Sequence, residues 1–274
     1  MKGRTVQAIV VNGVLALAAL LTVAPLLWMV AASLMHSGEA STFPPPLLPS
    51  APTLEHYRAL IVQGGIARQF VNSLGLAIAA TLLSTTFNTL AGYAFAKLHF
   101  TGRDKLFGLL IGALVIPGQV AMLPLFLMLK SMGLVNSYAG VLVPSLAGIF
   151  GIFLVRQYAR GIPDELIEAA RMDGAGEFRI FFSVVLPLLT PVLATLAVFA
   201  FLGSWNDFMW PLIVLTDGEL HTLPVALASL SREHVQDSEL MMAGAVITVL
   251  PVLALFLVLQ RYYLRGLTMG GVKQ

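Results

Sequence analysis

The sequence predicts an all-α membrane protein with six transmembrane helices, and three observations carry that expectation. Of its 274 residues, 58% are apolar and 11% charged, with a mean hydropathy of +0.87. A soluble domain carries about 25% charge, so less than half the usual solvating surface is present. Charge is also missing in long runs: 5–38, 69–96, 106–129, 131–155, 180–206 and 240–260 contain no Asp, Glu, Lys or Arg. Each run reaches the ~20 residues that a helix needs to cross ~30 Å of hydrocarbon. Finally, twelve of the 16 basic residues fall in segments that an even number of spans places on the same side as both termini. Basic loops stay cytoplasmic, so both ends are expected inside, in a bacterial inner (cytoplasmic) membrane. The net charge of +2 and the pI near 9.0 then report topology, and nucleic-acid binding is not implied.

The spans are placed at roughly 8–34, 70–96, 106–129, 139–157, 180–204 and 240–262 within one transmembrane domain covering 1–274. Lys2 and Arg4 precede the first, but its apolar core far exceeds the 7–15 residues of a signal peptide, so it reads as a retained span. An external loop over 36–68 follows, holding Pro44, Pro45, Pro46, Pro49 and Pro52. Proline runs favour extended backbone, and a short amphipathic helix is expected after them at 53–62. Span four is the shortest, because 131–138 reads as a loop. The apolar stretch 208–216 is too short to cross; it either lies at the interface or extends span five. A second external loop covers 207–238 and is acidic, with Asp207, Asp217, Glu219, Glu233 and Asp237, and Glu239 just beyond it, against Arg232. Pro117, Pro124, Pro144, Pro187, Pro191 and Pro251 lie in or near spans, where proline kinks helices.

The absence of cysteine excludes disulfides, thiolate metal sites and thiol nucleophiles. An intramembrane enzyme needs a base or metal ligands at membrane depth, yet His36, His56, His99, His221 and His234 all fall in loops. A secondary transporter or channel-like membrane protein is the alternative class. Ion coupling would call for charge within the spans, and the uncharged runs hold none.

One segment, 163–179, stands apart. Pro163 suits a helix's first turn, and Asp164 and Glu165 suit its positive end. Gly174 suits a left-handed stop. Between them Leu166, Ile167, Ala169 and Ala170 are apolar, while Glu168 and Arg171 are charged. Periodicity alone fits either an amphipathic connector at the membrane surface or a knob pressed into a partner.

Spacing decides between them. Glu168-Ala169-Ala170, three residues, Gly174, nine residues, Val184, one residue, Leu186-Pro187 resembles the EAA signature of binding-protein-dependent ABC importer permeases, departing only in Val184 for isoleucine. The resemblance extends along the chain and is most like the MalG-type permeases of carbohydrate importers. It includes Pro25 to Trp28 with Ser33, Asn72-Ser73, Ala91-Gly92-Tyr93-Ala94, Trp205-Asn206-Asp207-Phe208 with Pro211, and the tail from Gly266 to Lys273.

The resemblance implies a type I ABC importer permease fold with a cytoplasmic EAA coupling helix. It also implies a non-enzymatic transport subunit that moves a sugar, an oligosaccharide or disaccharide. The implied partners are a second homologous permease forming a heterodimer, two ATPase subunits, an extracytoplasmic sugar-binding protein and membrane lipid. No cofactor is expected in this chain, and ATP and Mg would be bound by the partner ATPase. No Gly-Lys dipeptide occurs anywhere, so the chain has no phosphate loop of its own. For ATPase coupling the residues implied are Glu168, Ala169, Ala170, Arg171, Asp173, Gly174, Leu186 and Pro187. For contact with the binding protein they are Leu223, Pro224, Ser229 and Leu230, and the tail is expected at the ATPases.

Polar groups in hydrocarbon usually face a cavity or a neighbouring helix. Candidates for the sugar path are therefore Asn72, Ser73, Asn88, Gln119, Asn206 and Asp207, with Trp205 or Tyr93 offering an aromatic face. Hydrogen bonding to a neighbouring helix is the competing role of each. Trp205 and Trp210 also suit an interfacial belt.

Overall fold

The computed structural model describes residues 2–62, 65–233 and 237–270. Among these the secondary structure is helical throughout, with no strand. The order is α1 (Lys2–Ala32), α2 (Glu55–Val62), α3 (Ile66–Lys97), α4 (Arg103–Ala113), α5 (Gly118–Ser131), α6 (Tyr138–Leu142), α7 (Ile149–Arg160), α8 (Asp164–Met172), α9 (Glu177–Ile180), α10 (Leu186–Trp205), α11 (Met209–Val214), α12 (Leu223–Glu233) and α13 (Ser238–Gly270).

Among the described residues, four stretches are long and apolar enough to cross a membrane: Ile9–Ala32, Ile66–Lys97, Glu177–Trp205 and Ser238–Val258. Two further crossings exist if each bent pair counts as one. Arg103–Ala113 with Gly118–Ser131 turns through 106°, and Tyr138–Ser145 with Ile149–Arg160 through 40°. The run expected as one helix over 106–129 is thus two. Pro117 stands before α5 with φ −60° and ψ 130°. A proline has no N–H to continue a helix and pushes the residue before it out of the helical region, which breaks the run. Pro144 and Gly148 stand at the second bend. The stretch 208–216 does not extend α10; it holds the separate short helix α11.

By internal contacts the chain divides into two compact units. One comprises Met1–Ala67 and Ala226–Pro251. In it the proline-rich segment after α1 is pinned rather than free. The Trp28 indole N–H donates to Pro46 O at 3.0 Å, Ser33 Oγ lies 2.7 Å from Tyr57 Oη, and the Ala40 N–H donates to buried Glu239 at 2.7 Å. His56, buried on α2, sits 2.9 Å from Met35 O. Glu39 accepts the N–H groups of Ser50 and His36, which holds its carboxyl below the ordinary range.

The other unit comprises Arg68–Val225 and Val252–Gln274 and includes the segment 163–179. One core cluster joins Tyr93 of α3, Val155 and Ala159 of α7, Ile167 of α8, and Ile180, Phe181, Val185, Leu189, Val192 and Leu196 leading into α10. Gly92 makes this approach possible: a Cβ there would lie 2.6 Å from Val155 Cβ, so only glycine lets α3 and α7 come this close. A second cluster collects Leu76, Leu129, Val141, Trp210, Val214 and Leu215.

Candidate functional site

α8 starts and stops where its sequence dictates. Pro163 precedes it in extended conformation, and Asp164 and Glu165 occupy the first turn. At the other end Gly174 has φ +79°, a conformation that costs other residues ~1–2 kcal/mol. The Ala175 N–H returns to Ala170 O at 3.0 Å and the Gly174 N–H to Arg171 O at 2.9 Å. These are the paired bonds of a Schellman stop, and they satisfy carbonyls that the helix end would otherwise leave open.

Its faces are sorted by contact. Ile167 is buried in the core cluster, with Ala170 and Ala175 packed against it. Glu168, Ala169, Asp173 and Gly174 are exposed, as are Leu166, Met172 (89%) and Phe178 (82%). The expected coupling residues from Glu168 to Gly174 therefore share one short element. Arg171 is not held out toward solvent alone: its Nε donates to Glu177 at 2.8 Å, which raises its pKa further. Leu186 and Pro187 begin α10, with Leu186 against the core cluster that holds Ile167. Between the two motif halves lies a π-helical turn, Phe181–Val185, in which the Leu186 N–H reaches back five residues to Phe181 O. Pro187 offers no N–H to the carbonyl four residues earlier, which favours the wider turn.

One residue of this region carried no site role in the sequence. Lys97, the last residue of α3, is 6% exposed at its side chain, and its Nζ donates to Ile162 O at 2.6 Å and Asp164 Oδ1 at 2.5 Å. The ammonium holds the Asp164 carboxyl below its usual range. The only sequence signal was a lysine closing an uncharged run.

The polar candidates do not assemble into a single lining. Asn72 donates to Glu219 O at 2.9 Å and His221 O at 3.0 Å, and Ser73 Oγ accepts the Leu223 N–H at 2.7 Å. Both therefore hold the segment before α12. Sixteen residues further along α3, about 24 Å by helical rise, buried Asn88 donates to Ser84 Oγ at 2.9 Å. Gln119 is exposed on α5. Asn206 donates back to Leu202 O at 2.9 Å. Asp207 accepts the Trp210 N–H at 3.3 Å, and burial raises its pKa.

Several of the candidates are interior in this chain. Trp205 offers no open aromatic face within this chain: it is fully buried, stacked on Phe201 at 5.9 Å and edge-on to Phe70 at 5.7 Å. Trp210 is likewise buried, its indole N–H on Gly140 O at 3.2 Å, and Tyr93 lies in the core beside Phe181. Leu223, expected at a docking surface, is also fully buried, its apolar side chain removed from water. Pro224 and Leu230 are half-buried, and Ser229 is exposed. Sequence reasoning missed Asn136, whose left-handed backbone (φ 59°) lets its Oδ1 accept the N–H groups of Thr216 and Asp217 at 3.0 and 2.9 Å. Tail residues Gly271, Val272 and Lys273 lie outside the described residues.

Comparison with known proteins shows the family. Residues 88–269 match the family described as binding-protein-dependent transport system inner membrane component. The chain is 40% identical over 262 residues to the arabinooligosaccharides transport system permease protein AraQ of Halalkalibacterium halodurans, covering 93% of this chain and 92% of that one. It is 30% identical over 274 residues to the lactose transport system permease protein LacG of Rhizobium radiobacter, covering 98% of each. In fold it is similar to a chain in the crystal structure of a bacterial ABC transporter involved in the import of the acidic polysaccharide alginate. There the TM-score is 0.84 at 23% identity, with 96% of this chain and 98% of that one covered. With several membrane-length apolar helices among its described residues and a match to one transport family over most of its length, the chain belongs to the binding-protein-dependent transport system inner membrane components.

Proposed function

We propose that the chain is the permease subunit of an ATP-driven importer of oligosaccharides or disaccharides, forming half of the translocation pathway. Membership of the family and the sugar transport of its relatives AraQ and LacG support the substrate class. The observation that carries the mechanism is α8: a nine-residue helix anchored through Ile167, stopped at Gly174, and presenting Glu168 and Ala169 beside exposed Leu166 and Met172. An ATPase groove would receive that face. Closure of two ATPases on nucleotide would push α8 as a rigid lever, and the core cluster would pass the tilt to α7 and α10.

In this reading each bent pair counts as one span, giving six, with both termini cytoplasmic in the inner membrane. ATP and Mg are bound by the partner ATPases, and a second homologous permease, a different chain, completes the pathway. An extracytoplasmic binding protein docks on the acidic outer loop through surface that includes Ser229, while buried Leu223 positions that surface from within. The sugar meets hydrogen-bonding groups on this chain only where Asn72, Asn88, Gln119, Asn206 or Asp207 has lone pairs or protons to spare, and the partner permease supplies the rest.

The test is Gly174→Leu combined with Glu168→Lys in the assembled transporter. Sugar uptake and binding-protein-stimulated ATP hydrolysis should both fall by about tenfold or more with the permease still inserted, since a left-handed position and a docking charge are lost together. Normal uptake would remove α8 from the coupling path.

A further inference from the structure

Lys97 is the cation of an ion pair, yet its side chain is 6% exposed while its partner Asp164 is 74% exposed. The other Lys and Arg pairs among the described residues keep their cations more open, from 27% for Arg103 to 56% for Arg68. A lysine at the end of an apolar helix ordinarily extends its stem to put the ammonium in water or among headgroups. This one turns into the protein and meets the corner between α7 and α8, where it holds a backbone carbonyl beyond α7 and a carboxylate in the first turn of α8. Charge-assisted bonds of this kind are among the stronger and more directional available. Arg156 secures the same end of α3, its Nε donating to Phe95 O at 3.2 Å and its guanidinium lying 3.8 Å over the Phe107 ring.

The opposite end of α3 is also tied. Asn72 and Ser73 hold the backbone of Glu219, His221 and Leu223, and Arg68 pairs with Glu219 at 3.1 Å. One continuous helix therefore runs about 37 Å from the outer-loop backbone to the α7–α8 corner.

We infer that Lys97 is a positioning residue for coupling: it fastens α8 to α3, so that displacement of α8 is carried through α3 to the segment held by Asn72 and Ser73. This rests on α8 being the contact with the ATPase, and it adds a route separate from the apolar one through Ile167.

The experiment uses the whole transporter in proteoliposomes with its binding protein, and measures sugar imported per ATP hydrolysed. Lys97→Gln should lower that ratio by about tenfold or more, the scale of losing a hydrogen bond to a charged group. Asp164→Asn should lower it less, because the Ile162 carbonyl remains. The double variant should be no worse than Lys97→Gln, since both changes break one tie. Lys97→Arg, which keeps charge and donors, should recover most of the ratio. A residue that merely stabilises the fold would change the amount of inserted protein and leave the ratio alone. An unchanged ratio in Lys97→Gln, or no recovery in Lys97→Arg, overturns the inference. Should the unaltered transporter itself import sugar without ATP hydrolysis, it is the coupling reading of α8 that fails instead.

Discussion

At the scale of single residues, chemistry is decided by what surrounds a side chain more than by its type. Asn72 and Asn88 sit on one helix, yet the first spends both amide protons on backbone carbonyls and the second faces Ser84 inside the bundle. Gly174 is different, because its backbone conformation is written in its lack of a Cβ, and its place is legible from spacing alone. Asp164 yields a pH prediction. The Lys97 hydrogen bond lowers its folded pKa below that of the unfolded chain. The tie is therefore fully present above the ordinary carboxylate value of about 4 and is lost as pH falls through the lowered folded value. In detergent-solubilised protein, the Tm difference between the native sequence and Asp164→Asn should stay level from neutral pH down to about 5 and shrink below about 4. A gap that is constant throughout would mean the carboxyl does not sense Lys97.

At the scale of elements, α8 is held by a buried stripe and by the Lys97 tie at its first turn. Ile167 is its one buried residue, in the cluster with Val155, Ile180, Phe181 and Val185. Ile167→Ala should cost about 2–4 kcal/mol locally, seen as faster hydrogen exchange over 164–173 and reduced uptake. Glu168→Ala, on the exposed face, should leave exchange unchanged while reducing uptake. Equal exchange in both variants would mean Ile167 does not anchor the helix. Element type was readable wherever apolar runs were long, and α3, α10 and α13 lie close to the expected spans. The 106° turn between α4 and α5 was not, because an uncharged window counts residues and is blind to direction. Pro117 marked the place, but the same signal occurs at Pro191 and Pro251, which remain inside continuous helices.

At the scale of the molecule, the unit spanning Arg68–Val225 ties backbone far apart in sequence through few polar groups. Asn72 and Ser73 reach residues some 150 positions away. Asn72→Ala should therefore raise hydrogen exchange across 217–223 and weaken stimulation of ATP hydrolysis by the binding protein, with basal hydrolysis unchanged. A change in apparent sugar affinity with exchange unaltered would instead return Asn72 to the sugar path.

Composition, uncharged runs and the spacing of one motif determined by themselves that this is a helical membrane protein of a binding-protein-dependent transport family, and where the short helix before Gly174 begins and ends. Those features follow from solvation and local backbone preference, which act on residues near in sequence. Only the tertiary structure decided that Lys97 faces the α7–α8 corner, that Trp205 and Leu223 are interior, and that Asn72 and Ser73 grip distant backbone. Such pairings are set when packed helices bring far-separated groups within about 3 Å, and no local preference encodes which partner each will meet.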